Sequence, residues 1–321
     1  MRHLFIVNPV AKRIRGKTKP IRDMITEFFR DYPGERYDIF ESRWCRDSII
    51  HIRRYISESG EAVRVHSMGG NGTLFEVVNS IVGCANAEVA AHPYGRENSL
   101  LRYFGAQNKK HFSSLESMVF DEAIPLDVIR CGNHYGIGIA LAGIEAFANM
   151  KGSEWIEKGM PEDMAYMLAA AYQLMAGRAS QKYYLEIDGS KVEGHNVSVI
   201  VANGPCYGKS MHPAVDAHPD DGLLDVYVFK NAPRLKLLPL IPVYVKGGYR
   251  KIPGLAFHYR GRKVRLSSDE VMCMSIDAQN FYGTSMEYEV LPRAINFVCP
   301  RGVDLAKLPR VFGKPAEGYR A

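Results

Sequence analysis

The sequence predicts an α/β plus β protein, with an N-terminal Rossmann-like parallel-sheet domain and a C-terminal antiparallel β-sandwich domain. Three observations lead there. The chain has 321 residues, more than one ordinary core takes. Strand-like and helix-like segments alternate up to about residue 126. After Asp127 the pattern changes to short strands separated by turns.

The elements follow in order. "HLFIV" reads as a strand, and "PIRDMITEFFRDY" as a helix with Ile21, Ile25, Phe28 and Phe29 on one face. "YDIFES" is a second strand. "DSIIHIRRYISESG" is a helix capped at Asp47 and closed at Gly60. "AVRVHSM" and "AEVAAHP" are two further strands, followed by the helices "LFEVVNSIV" and "NSLLRYFG". Repeated strand–helix units imply a parallel sheet covered on both faces. Beyond Asp127, "PLDVIRCGNHYGIGIALAG" reads as a hairpin and "PEDMAYMLAAAYQLMAG" as a single helix. The strands "KYYLEI", "KVEGHNVSVIVANG", "LLDVYVF", "KVRLSS", "VMCMSIDAQ", "MEYEVLP" and "AINFVCP" follow, with Asp188-Gly189 as a hairpin turn. The boundaries are 1–126 for the α/β domain and 127–291 for the sandwich. The segment 292–321 is placed to return to the first domain.

Composition narrows the function. Apolar residues make up 46% and charged residues 24%, the balance of a globular protein. No apolar run approaches the ~18 residues of a membrane span. The start "MRHLFIVNPV" reads as a first strand, not a secretory signal. Six cysteines, at 45, 84, 131, 206, 273 and 299, form no CxxC pair. That spacing suits free thiols in a reducing cytoplasm. The net charge of +6 suits anionic ligands such as nucleotide phosphates or acidic headgroups, and gives no case for nucleic acid. Nothing in the sequence sets an oligomeric state.

The stretch "HSMGGNGTLFEVVN" carries the clearest chemistry. A strand ends at Met68. Gly69 and Gly70 let a ligand approach the main chain. Thr73 and Glu76 have the spacing of a capping box, and free amides at a helix start suit a phosphate. The same glycines also suit a tight strand-to-helix turn with no ligand.

Three more segments join it: "NPVAKRIRGKTK", "HPYGRENSLLR" and "ANGPCYGKSMHPAVDAHPDDGLLDV". Taken together in this order, the four resemble the bacterial diacylglycerol kinase and sphingosine kinase family of lipid kinases, over about residues 4–300. The resemblance implies an ATP-binding α/β domain, a lipid-binding sandwich, a cleft between them, and magnesium-assisted phosphoryl transfer to a lipid alcohol. By that resemblance Asn8, Pro9, Gly69, Gly70, Gly72, Thr73, Gly95, Asn98 and Arg102 would bind nucleotide. Asp127 would lie near the catalytic metal. Asp221 and the Leu223 carbonyl would hold a structural magnesium ion. Asp277 opens the counterpart of an Asp-Gly-Glu triplet.

The departures fall on the chemistry. Asn71 stands where the family has the aspartate of GGDGT. Arg96 and Ser99 replace a threonine and an aspartate of the next motif. Gln279 replaces the glutamate of the triplet, and Gly138 stands where the family commonly has Asn. Asn and Gln keep the shape of Asp and Glu but cannot take a proton from an attacking hydroxyl, and general-base help is typically worth ~10²–10⁴ in rate. Magnesium also prefers anionic oxygen. The catalytic set Asn71, Asp127, Asp277 and Gln279 therefore points to a kinase of weak activity, or to a silent relative that binds nucleotide or lipid in a regulatory role. Glu76 and Glu97 offer a relocated metal site, against the simpler reading that Glu76 caps its helix and Glu97 is exposed.

Other patterns were open. "AKRIRGKT" is a loosened phosphate loop that would make an ordinary NTPase. A kinase for a soluble alcohol is a further alternative. His212, Asp216, His218, Asp220 and Asp221 form an irregular metal-like cluster. The helix "MAYMLAAAYQLM" suits a core or an acyl pocket. "PRLKLLPLIPVYVKGGYRK" could make peripheral membrane contact, although its prolines prevent a long helix.

Overall fold

A computed structural model describes residues 1–303 except 12, 45, 178, 208–210, 246 and 278. The chain divides into two compact units, Met1–Val128 with the segment from Pro292, and Ile129–Leu291.

In the first unit, strands and helices alternate as β1 (Arg2–Val7), α1 (Thr18–Arg30), β2 (Arg36–Glu41), α2 (Asp47–Ser59), β3 (Val63–Gly69), α3 (Asn71–Ile81), β4 (Ala87–Pro93) and α4 (Ser99–Tyr103), then the short α5 (Lys109–Phe112) and α6 (Leu115–Phe120), and β5 (Ala123–Cys131). The sheet order is β2-β1-β3-β4, all parallel. Beyond β4, Asn296 and Phe297 pair in parallel with Glu88 and Val89. Residues of β1 and β3 are buried almost throughout, as strands covered on both faces must be. Helix α1 buries Ile21, Ile25 and Phe29 against the sheet, and α2 ends at Gly60 in the left-handed conformation.

The sheet interior holds a row of histidines that no sequence pattern announced. His3 Nδ1 lies 3.0 Å from His66 Nε2, and His66 Nδ1 lies 3.0 Å from His92 Nε2. Phe5 stacks on His66 at 4.1 Å. Burial holds all three rings well below the usual histidine range, His3 to about 4 and His92 to about 3. The row is therefore neutral at pH 7. The outer end faces Glu35 across 3.4 Å, which favours the Nε2–H form of His3 and, by relay, of its two neighbours.

In the second unit, β5 continues into a hairpin with β6 (His134–Gly136). Then come β7 (Ile139–Gly143), α7 (Ile144–Glu157), α8 (Glu162–Ala176), β8 (Gln181–Ile187), β9 (Ser190–Ala202), β10 (Leu224–Lys230), α9 (Arg234–Leu237), α10 (Ile241–Val245), β11 (Ala256–Gly261), β12 (Lys263–Ile276) and β13 (Gln279–Val298). Neighbours run β11-β10-β9-β7-β12-β13, and β8 pairs with both β9 and β12. All these pairings are antiparallel.

Three expectations need correction. Two helices, not one, follow the hairpin. Helix α7 was hidden because Gly152 interrupts its pattern; that glycine is needed where α7 meets α8, since a Cβ there would lie 2.5 Å from Tyr166 Cδ1. "KVRLSS" and "VMCMSI" are one strand with a register shift between Ser267 and Met272. "MEYEVLP" and "AINFVCP" are likewise parts of β13, bent where Arg293 takes a φ of 54°.

Candidate functional site

In the first unit, the residues singled out after β1, β3 and β4 gather at the C-terminal ends of three adjacent parallel strands. The strand order reverses between β1 and β3, and open α/β sheets bind ligands at such a point. Asn8 bridges it: Asn8 Nδ2 donates to Thr73 Oγ1 at 3.1 Å, and its Oδ1 accepts from the Val10 amide at 3.1 Å. Pro9 follows in the same turn. Asn98 Nδ2 donates to the Gly69 carbonyl at 3.0 Å, tying the third loop to the second.

The glycines permit this convergence. A Cβ on Gly95 would lie 2.1 Å from Gly70 Cα, and one on Gly69 would lie 2.1 Å from Thr73 Oγ1. Helix α3 starts at Asn71, three residues earlier than its apolar pattern suggests. The amides of Gly72 and Thr73 thus fall in its first turn, where an α-helix supplies no internal acceptor. Thr73 and Glu76 do not form a capping box. Gly70 is the N-cap, without a side-chain bond. The Glu76 carboxylate instead accepts from the Arg46 amide at 2.8 Å and from the Ser48 hydroxyl, pinning the start of α2.

Two of the family departures meet here. Asn71 Nδ2 donates to Ser99 Oγ at 2.9 Å, and Asn71 Oδ1 accepts from the Ser99 amide at 2.9 Å. The Asn71 amide donates to the Glu97 carbonyl at 3.1 Å. Asn71 and Ser99 thus form a neutral, mutually satisfied pair. Such a pair braces the two loops and cannot take a proton.

Basic charge borders these loops. Partial burial, and then the nearby Arg13 and Arg102, pull the Lys109 ammonium below the usual lysine range. Lys109 carries no motif and was missed in the sequence; only its place in α5 brings it toward Arg102. Three cations that disfavour one another suit an anion. The phosphate-loop alternative loses its basis. The amides of Arg13, Ile14, Arg15 and Lys17 donate to backbone carbonyls of Tyr94, Ala11, Ala11 and Ile14. Ile14 is fully buried in the core.

Asp127 is 1% exposed on β5, and its Oδ1 accepts from the Arg293 amide at 2.8 Å, holding the bend of β13. In the second unit, Asp277 is also clasped by backbone. Its Oδ2 accepts from the Ile137 amide at 2.8 Å, and its Oδ1 from the Gly138 and Ile139 amides, each at 3.1 Å. Burial raises its pKa and these three bonds oppose the rise. A Cβ at Gly138 would lie 2.6 Å from Asp277 Oδ1, so the glycine and the clasp belong together. Gln279 opens β13 opposite Ile276.

The residues assigned to magnesium fit it poorly. Asp221 Oδ1 accepts from the Leu223 amide at 3.1 Å, closing a turn, and Asp221 Oδ2 is paired with the Arg260 guanidinium. Arg260 Nε also lies 3.2 Å from Asp225 Oδ1. A side-chain cation thus occupies the place a metal would take. Asp216 accepts from Tyr227 at 3.0 Å and pairs with Arg250 at 3.1 Å. Among the described residues, no group of three or more His, Cys, Asp or Glu side chains could hold a metal ion.

The second unit also contains an apolar pocket. It lies between α7, α8, β9, β10, α9 and α10 and opens to solvent. Its walls include Met167 and Leu174 of α8, Phe229 of β10, and Leu237, Leu240 and Ile241. The methionine-rich helix and the proline-broken stretch, read separately in the sequence, face the same cavity. The outer face of α8 leaves Met164, Leu168, Tyr172 and Met175 between 44% and 51% exposed, and Leu235 of α9 is 77% exposed. No described helix is long and apolar enough to cross a membrane.

Residues 2–131 match the diacylglycerol kinase catalytic domain, and residues 138–299 match the YegS C-terminal NAD kinase beta sandwich-like domain. Proteins of Staphylococcus aureus strains JH9 and N315, each named "Putative lipid kinase", are 24% identical over 235 residues, 72% of this chain and 75% of theirs. A crystal structure titled as a putative diacylglycerol kinase from Bacillus anthracis str. Sterne is similar with a TM-score of 0.72 and 19% identity, covering 94% of this chain and 96% of that one. A second from that strain, titled as a diacylglycerol kinase, gives 0.66 and 18%, covering 94% and 98%. At those identities the solved structures speak for the fold alone.

Proposed function

Because this chain belongs to the diacylglycerol kinase/YegS-like family of lipid kinases, we propose that it binds ATP at the strand ends of its first unit and a lipid alcohol in the apolar pocket of its second, and transfers phosphate between them slowly. The observation that carries the reading is that pocket, lined by Met167, Leu174, Phe229, Leu237, Leu240 and Ile241 in the unit that matches the family's sandwich. Hydrocarbon is the ligand class such walls take best. The first turn of α3 and the Arg13, Arg102 and Lys109 cations support phosphate binding. Nucleotide would lie along Asn8, Gly69–Thr73, Gly95, Asn98 and Arg102. The exposed stripe of α8 and Leu235 supports contact with a lipid surface.

Slow turnover follows from the neutral Asn71–Ser99 pair. It removes a general base and an anionic metal partner together. Of the catalytic set, Asp127 and Asp277 are engaged by backbone amides. The same observations support the second reading, a silent relative that binds both ligands and regulates.

Transfer of labelled phosphate from ATP to diacylglycerol in mixed micelles, with magnesium or manganese, tests the proposal. We expect low turnover in the native chain and a gain of at least about tenfold in Asn71→Asp/Gln279→Glu. Nucleotide and lipid binding with no transfer in the native chain would favour the silent reading. Absence of both binding and transfer would refute both.

A further inference from the structure

The apolar pocket contains one acidic group among its described lining residues, Glu145, at the start of α7. Nothing in the sequence or the family motifs assigns it a role. Glu145 is 8% exposed. Its Oε2 is buried without a hydrogen bond of ordinary geometry, and so is the Tyr244 hydroxyl, which lies close enough to interact with it. Both residues line the same cavity. Other buried polar groups of this unit are met by backbone: Asp277 takes three amides, and Tyr249 donates to the Pro213 carbonyl at 2.5 Å. Two loosely met oxygens in one apolar cavity are costly unless something pairs with them.

The surroundings favour the neutral form of the acid. Burial pushes the Glu145 carboxyl up to about 8, opposed in part by its own backbone amide and by the nearby Tyr244. Tyr183, another neighbour, is itself pushed up by burial and by Glu145, so it remains a neutral phenol. Near pH 7 Glu145 is therefore mostly a neutral acid, able both to donate and to accept.

We propose that Glu145 and Tyr244 form the specificity-determining polar point of the lipid pocket, pairing with an uncharged hydroxyl or ester oxygen of a neutral glycerolipid. This inference rests on the lipid-kinase reading and names which lipids the pocket takes. A plain hydrocarbon tail at that depth leaves the two oxygens with no more than their loose contact with each other. A hydroxyl or ester completes them. A lipid ammonium would instead need Glu145 ionised, in a place that disfavours ionisation. Sites built to pair a ligand's polar group discriminate strongly against analogues that lack it.

Displacement of 1-aminoanthracene from the full chain at pH 7 provides the test. The competitors are 1-monooleoylglycerol, 1-octadecene and sphingosine, all below their aggregation limits. Native protein should bind monooleoylglycerol at least about tenfold more tightly than octadecene. Glu145→Gln, which keeps a neutral donor and acceptor, should retain that preference. Glu145→Leu should bind the two equally while still taking up the probe. An unchanged preference in Glu145→Leu, or sphingosine as the tightest ligand of the native chain, overturns the inference and leaves the lipid pocket standing. If neither the probe nor any lipid binds the native chain, the inference and the lipid reading fall together.

Discussion

The glycine turn of the first unit and the apolar pocket of the second treat their polar groups in opposite ways. At the turn, Asn71, Ser99, Asn8, Thr73 and Asn98 are paired with one another or with backbone. In the pocket, Glu145 Oε2 and the Tyr244 hydroxyl are buried without a hydrogen bond of ordinary geometry. The turn is neutral and self-sufficient. The pocket retains a need that its own walls do not meet. A satisfied polar cluster reads as architecture, and an unsatisfied one reads as a place for a ligand.

The strongest way to break the comparison is to disturb the turn's close approach. Gly95→Ala would put a Cβ against Gly70 Cα, backbone against backbone. We expect a loss of roughly 3 kcal/mol or more, seen as a lowered urea midpoint. A midpoint within experimental error of the native chain would mean that the loops are not braced as described.

The histidine row supplies the next test. Its folded-state pKa values lie below the ordinary 6.5, at about 4 for His3 and about 3 for His92. The unfolded chain therefore binds more protons between those limits. The stability contributed by the neutral row is complete above pH 6.5 and is lost as pH falls toward 4. One proton over two pH units corresponds to about 3 kcal/mol. His3→Phe/His66→Leu/His92→Leu should flatten that part of the pH profile. A slope unchanged in the triple variant would assign the effect to carboxylates instead.

Asn71→Ala comes third. It removes both bonds to Ser99 and leaves the Ser99 amide without its acceptor, at a cost of about 2 kcal/mol. Asn71→Asp keeps an acceptor for that amide and should lose less. Equal losses by chemical denaturation would mean that the side-chain pairing contributes little.

Glu145→Gln sharpens the other half. The Glu145 pKa rises from an ordinary 4.5 to about 8 in the folded chain. Its stabilising contribution is therefore complete below pH 4.5 and declines as pH rises to about 8. Relative to the native chain, Glu145→Gln should gain stability progressively as pH rises from 4.5 to 8, and gain almost nothing at pH 4.5. The same gain at both pH values would show that the carboxyl is not held neutral.

These sites differ in how far the sequence revealed them. The parallel sheet followed from its alternation, and the glycine turn from residues that must lie next to one another in the chain. The Asn71–Ser99 pair depends on two loops that are neighbours only because β3 and β4 are, so each departure was visible but their meeting was not. Thr73 and Glu76 misled because capping spacing is local, whereas Glu76 is claimed by Arg46 and Ser48 of another element. The histidines stand in three separate strands, and only register aligns them. Glu145 sits in "AGIEAF", a stretch whose helix the sequence did not disclose at all.

The smallest expected effect concerns metal. Asp221 has Arg260 as its counter-charge and the Leu223 amide as a hydrogen-bond donor. A chelator should then leave thermal stability almost unchanged, because an ion that adds nothing to the folded state shifts no equilibrium when removed. Arg260→Ala frees Asp221 and leaves Asp225, whose Oδ2 is already buried and unpaired, with His258 as its neighbour at 2.6 Å. In that variant, added magnesium should raise the unfolding midpoint where it does not in the native chain. A clear fall in the native chain's midpoint on chelation, restored by magnesium, would place a structural ion beside the guanidinium. The second unit would then contain a met need at Asp221 that depends on something outside the chain, and the contrast with the self-sufficient turn would widen.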